Sequence, residues 1–118
     1  MHLSPVHALL DDLFFRSRIE ATAEAAGVPL LVSRDLPQLV GRIDADGGRG
    51  VLVDLALDVA IEAIATLKRR GEPIVVVAWG SHVDQPAMDA ARGAGADRVL
   101  PRSAFTRRLP DILRELSE

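Results

Sequence analysis

Asp11 and Asp12 follow a short apolar run, Val6–Leu10, and Asp54 stands inside another, Val51-Leu52-Val53-Asp54-Leu55. An acid at the end of an apolar run lies where a buried strand gives way to a loop. If the two runs are neighbouring strands, three carboxylates converge at one edge of a sheet. Adjacent carboxylates repel and desolvation penalises the charge on each, so such a cluster calls for a divalent cation, and hard oxygen donors with room for water suit magnesium. The same residues have a local alternative: Asp12 caps a helix starting at Leu13, and Asp54 accepts nearby backbone amides.

A second group with chemical potential is Trp79-Gly80-Ser81-His82-Val83-Asp84. Its Ser, His and Asp invite a hydrolase reading, but residues this close in sequence do not form the Ser to His to Asp relay, and no Gly-x-Ser-x-Gly elbow is present. His82 has no second His at helical spacing, so a surface or capping role is expected over metal ligation. Trp79 is expected to pack, with a contact role kept open by its place at a strand end. Gly47-Gly48-Arg49-Gly50 precedes a strand, whereas a phosphate loop lies between a strand and its helix. His2 and His7 carry no signal. Arg107 and Arg108 are balanced by Asp111, Glu115 and Glu118, which reads as a solvated face.

The elements that must position these residues follow from hydrophobic period. Five short apolar runs, Val6–Leu10, Val28–Val32, Val51–Leu55, Ile74–Ala78 and Arg98–Leu100, alternate with five helical stretches, the pattern of a parallel sheet covered on both faces. The first helix is Leu13–Ala26, with Phe15, Ile19, Ala23 and Ala26 on one face and Gly27 as terminator. The second is Leu36–Ile43, capped by Ser33 or Asp35, and is followed by a turn over Asp46 to Gly50. Asp58 is placed to cap the third, Val59–Arg70. Asp84 precedes a fourth that starts at Gln85 with Pro86 in its first turn and ends at Gly93 to Gly95. The last begins at Ser103 or Thr106, and Thr106 is preferred because it keeps Pro110 in the first turn. Right-handed crossovers and short connections favour an open, doubly wound α/β sheet, in which ligands collect beyond the carboxyl ends of the strands.

Composition narrows the function classes. The 118 residues fit one domain spanning residues 1–118, and 48% hydrophobic content is enough for a core. With no cysteine, disulfides and thiolate chemistry are excluded. The first ten residues lack the cationic start of a signal peptide, and no segment approaches the roughly 20 apolar residues of a membrane span. A cytoplasmic location is expected. A net charge of -3, interspersed signs, no Tyr, three Phe and one Trp give neither a basic field nor a stacking platform, so neither nucleic acid nor membrane is an expected partner.

Over essentially its whole length the chain resembles the receiver domains of bacterial response regulators. Leu10-Asp11-Asp12 followed by Arg16, Ile19 and Gly27 resembles their acidic pair and first helix, Asp54 sits like their phosphoacceptor, and Gly95-Ala96-Asp97-Arg98-Val99-Leu100-Pro101-Arg102 is similar to the stretch that enters their fifth strand. The resemblance implies a flavodoxin-like five-stranded sheet ordered 2-1-3-4-5, with Asp11, Asp12 and Asp54 within a few ångströms of one another. It also implies phosphoryl transfer to Asp54 from a histidine kinase in a two-component phosphorelay, with magnesium on the acidic pair. In that chemistry positioning and charge neutralisation do most of the work.

The sequence departs from the pattern at four places. Arg102 replaces the Lys that ligates the phosphoryl group; its forked guanidinium is expected to point into the acidic cluster and bridge carboxylates, so that magnesium binding is weak. The hydroxyl position falls on Ala78 counted from Pro73, or on Gly80 counted back from Gly95, with Ser81 displaced. Val99 stands where the family has its aromatic switch. Ala56-Leu57-Asp58-Val59 lacks the Pro and Asp-Gly of the family's loop. These departures imply a pseudo-receiver: no enzyme, no required cofactor, and signalling by contact with a protein partner or a second copy through the fourth helix, fifth strand and fifth helix, around Ala87, Ala91, Val99 and Leu109. An output domain would have to follow Glu118, so direct transcriptional action by this chain is not expected. An active receiver phosphorylated on Asp54, and a flavodoxin-like small-molecule-binding domain or enzyme, are the alternatives.

Overall fold

The computed structural model describes residues 3–118; His2 lies outside them. Five strands, β1 (Val6–Leu9), β2 (Leu30–Ser33), β3 (Gly50–Asp54), β4 (Val75–Gly80) and β5 (Arg98–Pro101), alternate with five helices, α1 (Leu13–Ala26), α2 (Leu36–Asp46), α3 (Ala60–Lys68), α4 (Gln85–Gly93) and α5 (Arg102–Ser117). The strands form one parallel sheet in the expected order β2-β1-β3-β4-β5. Among the described residues no helix is long and apolar enough to cross a membrane.

Successive strand residues point to opposite faces, and the two hydrophobic layers follow that alternation. Leu52, Val77 and Trp79 face α1 and α5, packing with Phe15, Ile19, Phe105, Leu109 and Leu113. Val51, Val53, Val76 and Ala78 face the other way, onto Leu39 and Ile43 of α2, Ile64 and Leu67 of α3, and Met88 and Ala91 of α4. The same alternation puts Asp54 on the side of Leu52 and Trp79.

Local chemistry sets the boundaries. Gly27 adopts φ 71°, a left-handed conformation that L side chains rarely take. Its N–H donates to the Glu24 carbonyl and that of Val28 to the Ala23 carbonyl, the paired bonds of a Schellman ending. Val28 is thereby used to close α1, so β2 begins at Leu30 and not at Val28. Asp35, not Ser33, caps α2 by accepting from the Gln38 amide at 2.8 Å, and that helix runs past Ile43 to Asp46, where Gly47 ends it. Asp58 makes no cap: α3 starts at Ala60 after Val59, with no side-chain cap bond. The expected start of α5 at Thr106 is also overturned. The helix begins at Arg102 and carries Pro110 inside it, because burial of Phe105, Leu109, Ile112 and Leu113 on one stripe outweighs the backbone bond that proline removes.

Candidate functional site

The carboxyl edge of the sheet brings Asp54 to the surface of the core without exposing it. Asp54 is 3% exposed, and its Oδ1 accepts the Ala56 amide at 2.9 Å. Burial raises its pKa above the ordinary aspartate value; the Ala56 amide and the Arg102 guanidinium oppose the rise without cancelling it, and the charge of Asp12 adds to it. Asp12 is therefore an electrostatic neighbour of Asp54. Its own Oδ1 is occupied as the N-cap of α1, accepting from the Phe14 and Phe15 amides at 3.0 and 3.1 Å. Asp11 is exposed and lies 4.0 Å from Arg34 at the start of the β2–α2 connection.

Among the described residues no group of three His, Cys, Asp or Glu side chains is arranged to hold a metal ion. Asp11, Asp12 and Asp54, the set expected to hold magnesium, do not form such a group here. The physical reason is local competition: a helix N-terminus and a tight turn each supply amide donors close in sequence, and both side chains satisfy them at no cost in long-range order.

Arg102 opens α5 and reaches the site, but not as an ion pair. Its guanidinium lies over the Phe15 ring, 5.3 Å from the centroid, a cation–π contact. From there its charge acts on Asp54. The two side chains line one recess of about 90 Å³ together with Gly80, Ser81, Asp84 and Ala87. Asp84 caps α4 by accepting from the Ala87 amide at 3.2 Å. His82 borders a different, larger recess, also shared by Arg102.

The register shows what faces Asp54 from β4. Asp54 is paired with Trp79; the residue opposite the acid is neither Ala78, which is buried in the other layer, nor Gly80, one place further on. Trp79 is fully buried, so it offers no surface for a partner. Its ring stacks on Phe105 at 4.4 Å between centroids and meets Phe15 at 5.4 Å. Its Nε1 has no hydrogen-bond partner.

Solved structures of the same architecture are receiver domains. An orphan response regulator of H. pylori has 19% identity to this chain, with 94% of this chain and 97% of that one covered, at a TM-score of 0.76. A response regulator receiver domain from Clostridium thermocellum has 14% identity, 97% and 94% covered, at 0.80. The chain has the receiver-domain fold. A third receiver-fold protein, an atypical orphan response regulator described as having a phosphorylation-independent regulatory mechanism, has 19% identity, 93% and 95% covered, at 0.74. No family model and no curated protein matches the sequence.

Two of the residues named for the expected contact face do not lie on the surface of this receiver fold. Ala91 and Leu109 are core residues, at 0% and 1% exposure, and Val99 is half-buried against the same layer as Ala91. The exposed side of α4 is carried by Gln85, Pro86, Asp89, Ala90 and Arg92. At the start of β1 sits a residue the sequence left silent: His7 is fully buried, with its Nε2 2.9 Å from Asp46 Oδ1. Only the β1–β3 pairing and the longer α2 reveal that contact.

Proposed function

We propose that this chain is a receiver-like signalling module, not an enzyme, that acts by binding another protein and does not depend on phosphoryl transfer to Asp54. The observation that carries the reading is Trp79 opposite Asp54. Beside Asp54 the chain packs an indole against two phenylalanine rings, and the recess that Asp54 shares with Gly80, Ser81 and Arg102 measures only about 90 Å³. Phosphoryl transfer rests on positioned charge, and here Asp12 is engaged by the α1 amides and the cation is held over Phe15. The likeness to an orphan regulator described as phosphorylation-independent supports the same reading.

Intact mass after incubation with magnesium and acetyl phosphate is the test. No mass gain is expected. A labile gain of one phosphoryl group on the wild type, absent from Asp54→Asn, would establish an active receiver instead. The binding surface we assign is the exposed side of α4 with β5 and α5. Ala90→Glu tests it by sedimentation, since Ala90 is exposed whereas a charge at Ala91 would only disrupt the core.

A further inference from the structure

A recess of about 580 Å³ opens beside the carboxyl edge, between α1, the β4–α4 loop and the first turns of α5. Arg18 comes from α1, His82 from the loop, and Arg102, Ser103, Thr106 and Arg107 from α5. No carboxylate lines it. Among the described residues Arg18, Arg102 and Arg107 have no acidic partner within 4.0 Å. Most arginines elsewhere are paired: Arg16 with Glu20, Arg70 with Asp44 and Glu72, Arg98 with Glu115. The sequence offers Asp111 and Glu115 as partners for Arg107, but in the fold Asp111 goes to Arg114 at 3.1 Å and Glu115 to Arg98 at 3.2 Å.

The positive charge here is also placed against the helix field. Arg102 is the first residue of α5, whose first turn contains no acidic residue and whose start has no side-chain cap. A cation at a helix N-terminus is disfavoured by the dipole, and an anion there is favoured. The arrangement therefore carries an unbalanced positive potential in a concave space. A volume of 580 Å³ lies within the roughly 300–1,000 Å³ of small-molecule sites.

We propose that this recess binds a small molecule carrying two or more linked phosphate groups, its oxygens held by the forked guanidiniums of Arg18, Arg102 and Arg107 and the hydroxyls of Ser103 and Thr106. Guanidinium forks match phosphate oxygens in pairs. Three guanidinium charges exceed the charge of about −1.5 to −2 that one phosphate group carries at neutral pH, and this favours an oligophosphate. Arg102 borders both this recess and the one that holds Asp54, so a bound anion would draw on the same cation that faces the acceptor-like acid.

Titration calorimetry of the full chain at low ionic strength, with inorganic phosphate, inorganic pyrophosphate and ATP as separate probes, tests the proposal. Pyrophosphate and ATP are expected to bind with one-to-one stoichiometry and orthophosphate much more weakly; ATP above pyrophosphate identifies a nucleotide as the source, and equal affinities identify the phosphate chain alone. Arg18→Gln and Arg107→Gln, both at exposed positions, are each expected to weaken binding about tenfold, the loss of one charge-assisted contact, while Arg92→Gln on α4 has no effect. Amide chemical-shift changes in the wild type should concentrate at Ser81, His82, Ser103 and Thr106. Absence of pyrophosphate and ATP binding, an equal loss in Arg92→Gln, or shifts spread over both faces of the sheet would overturn it. None of these outcomes depends on whether Asp54 accepts a phosphoryl group.

Discussion

Asp54 and Trp79 stand opposite each other on β3 and β4, so the one buried acid at the sheet's carboxyl edge shares its side of the sheet with the one indole. Trp79 bridges the packing of α1 and α5 through Phe15 and Phe105, yet its Nε1 is unpaired. Trp79→Ala is expected to cost about 3–5 kcal/mol, the usual loss for a large buried aromatic. Trp79→Phe should cost about 1–2 kcal/mol, because removing an orphaned N–H recovers part of its desolvation penalty. Urea denaturation followed by circular dichroism measures both; equal losses would show that the indole N–H is satisfied in solution.

The pH dependence of stability should carry the mark of Asp54. A carboxyl whose folded pKa is raised contributes stability that is fully present below the unfolded value, 3.8, and is lost as pH rises through the folded value. At neutral pH the buried charge is therefore a liability. Asp54→Asn keeps an acceptor for the Ala56 amide and removes the charge, so its melting temperature should exceed that of the wild type at pH 7. The gain should shrink on acidification and vanish below the unfolded value. A gain that grows toward acid would contradict the direction of the shift.

The strands and most helices were legible because each apolar run and each helical stripe declares its own period. The ends were not. Val28 is apolar and β-branched, but the left-handed Gly27 draws its amide into the ending of α1. Asp58 has the right type for a cap and the wrong place in the turn. In the site, Asp54 stood out as an acid inside an apolar run. Its cross-strand neighbour did not: a register slip of one residue exchanges the faces of a strand, so which residue of β4 lies opposite it is set only by the strand pairing. The unpaired Arg107 was hidden for a related reason, since Glu115 finds Arg98 on a strand 17 residues away.

Pro110 lies inside α5, where it cannot donate to the Thr106 carbonyl. An interior proline costs a helix roughly 3 kcal/mol; partial burial of the ring, at the edge of a recess it shares with Ala21 and Ala25 of α1, offsets part of this. Pro110→Ala is therefore expected to stabilise the protein by about 1–2 kcal/mol, read as a higher urea midpoint at unchanged slope. A lower midpoint would mean that the ring's partial burial outweighs the missing bond.

Asp97 titrates in the opposite sense to Asp54. Its Oδ2 accepts from the Val76 amide at 2.8 Å and from Lys68 Nζ at 2.9 Å, and Lys68 also donates to the Ile74 carbonyl at 2.7 Å. One carboxylate thus ties the loop entering β5 to α3 and to the start of β4. Burial alone would raise its pKa, but the Val76 amide and the Lys68 ammonium outweigh burial and hold it below the ordinary value. A depressed carboxyl contributes stability above its unfolded pKa, and that contribution is lost as pH falls through the folded value. The side chain is 40% exposed, so solvent screening keeps the pair's worth to about 0.5–1 kcal/mol. Asp97→Asn should lower stability by that amount at pH 7, and Lys68→Met by a similar amount. The Asp97→Asn difference should disappear as pH falls below the folded value. A loss that persists unchanged into acid would show that the loop is held by the Val76 bond alone, with no contribution from the charge.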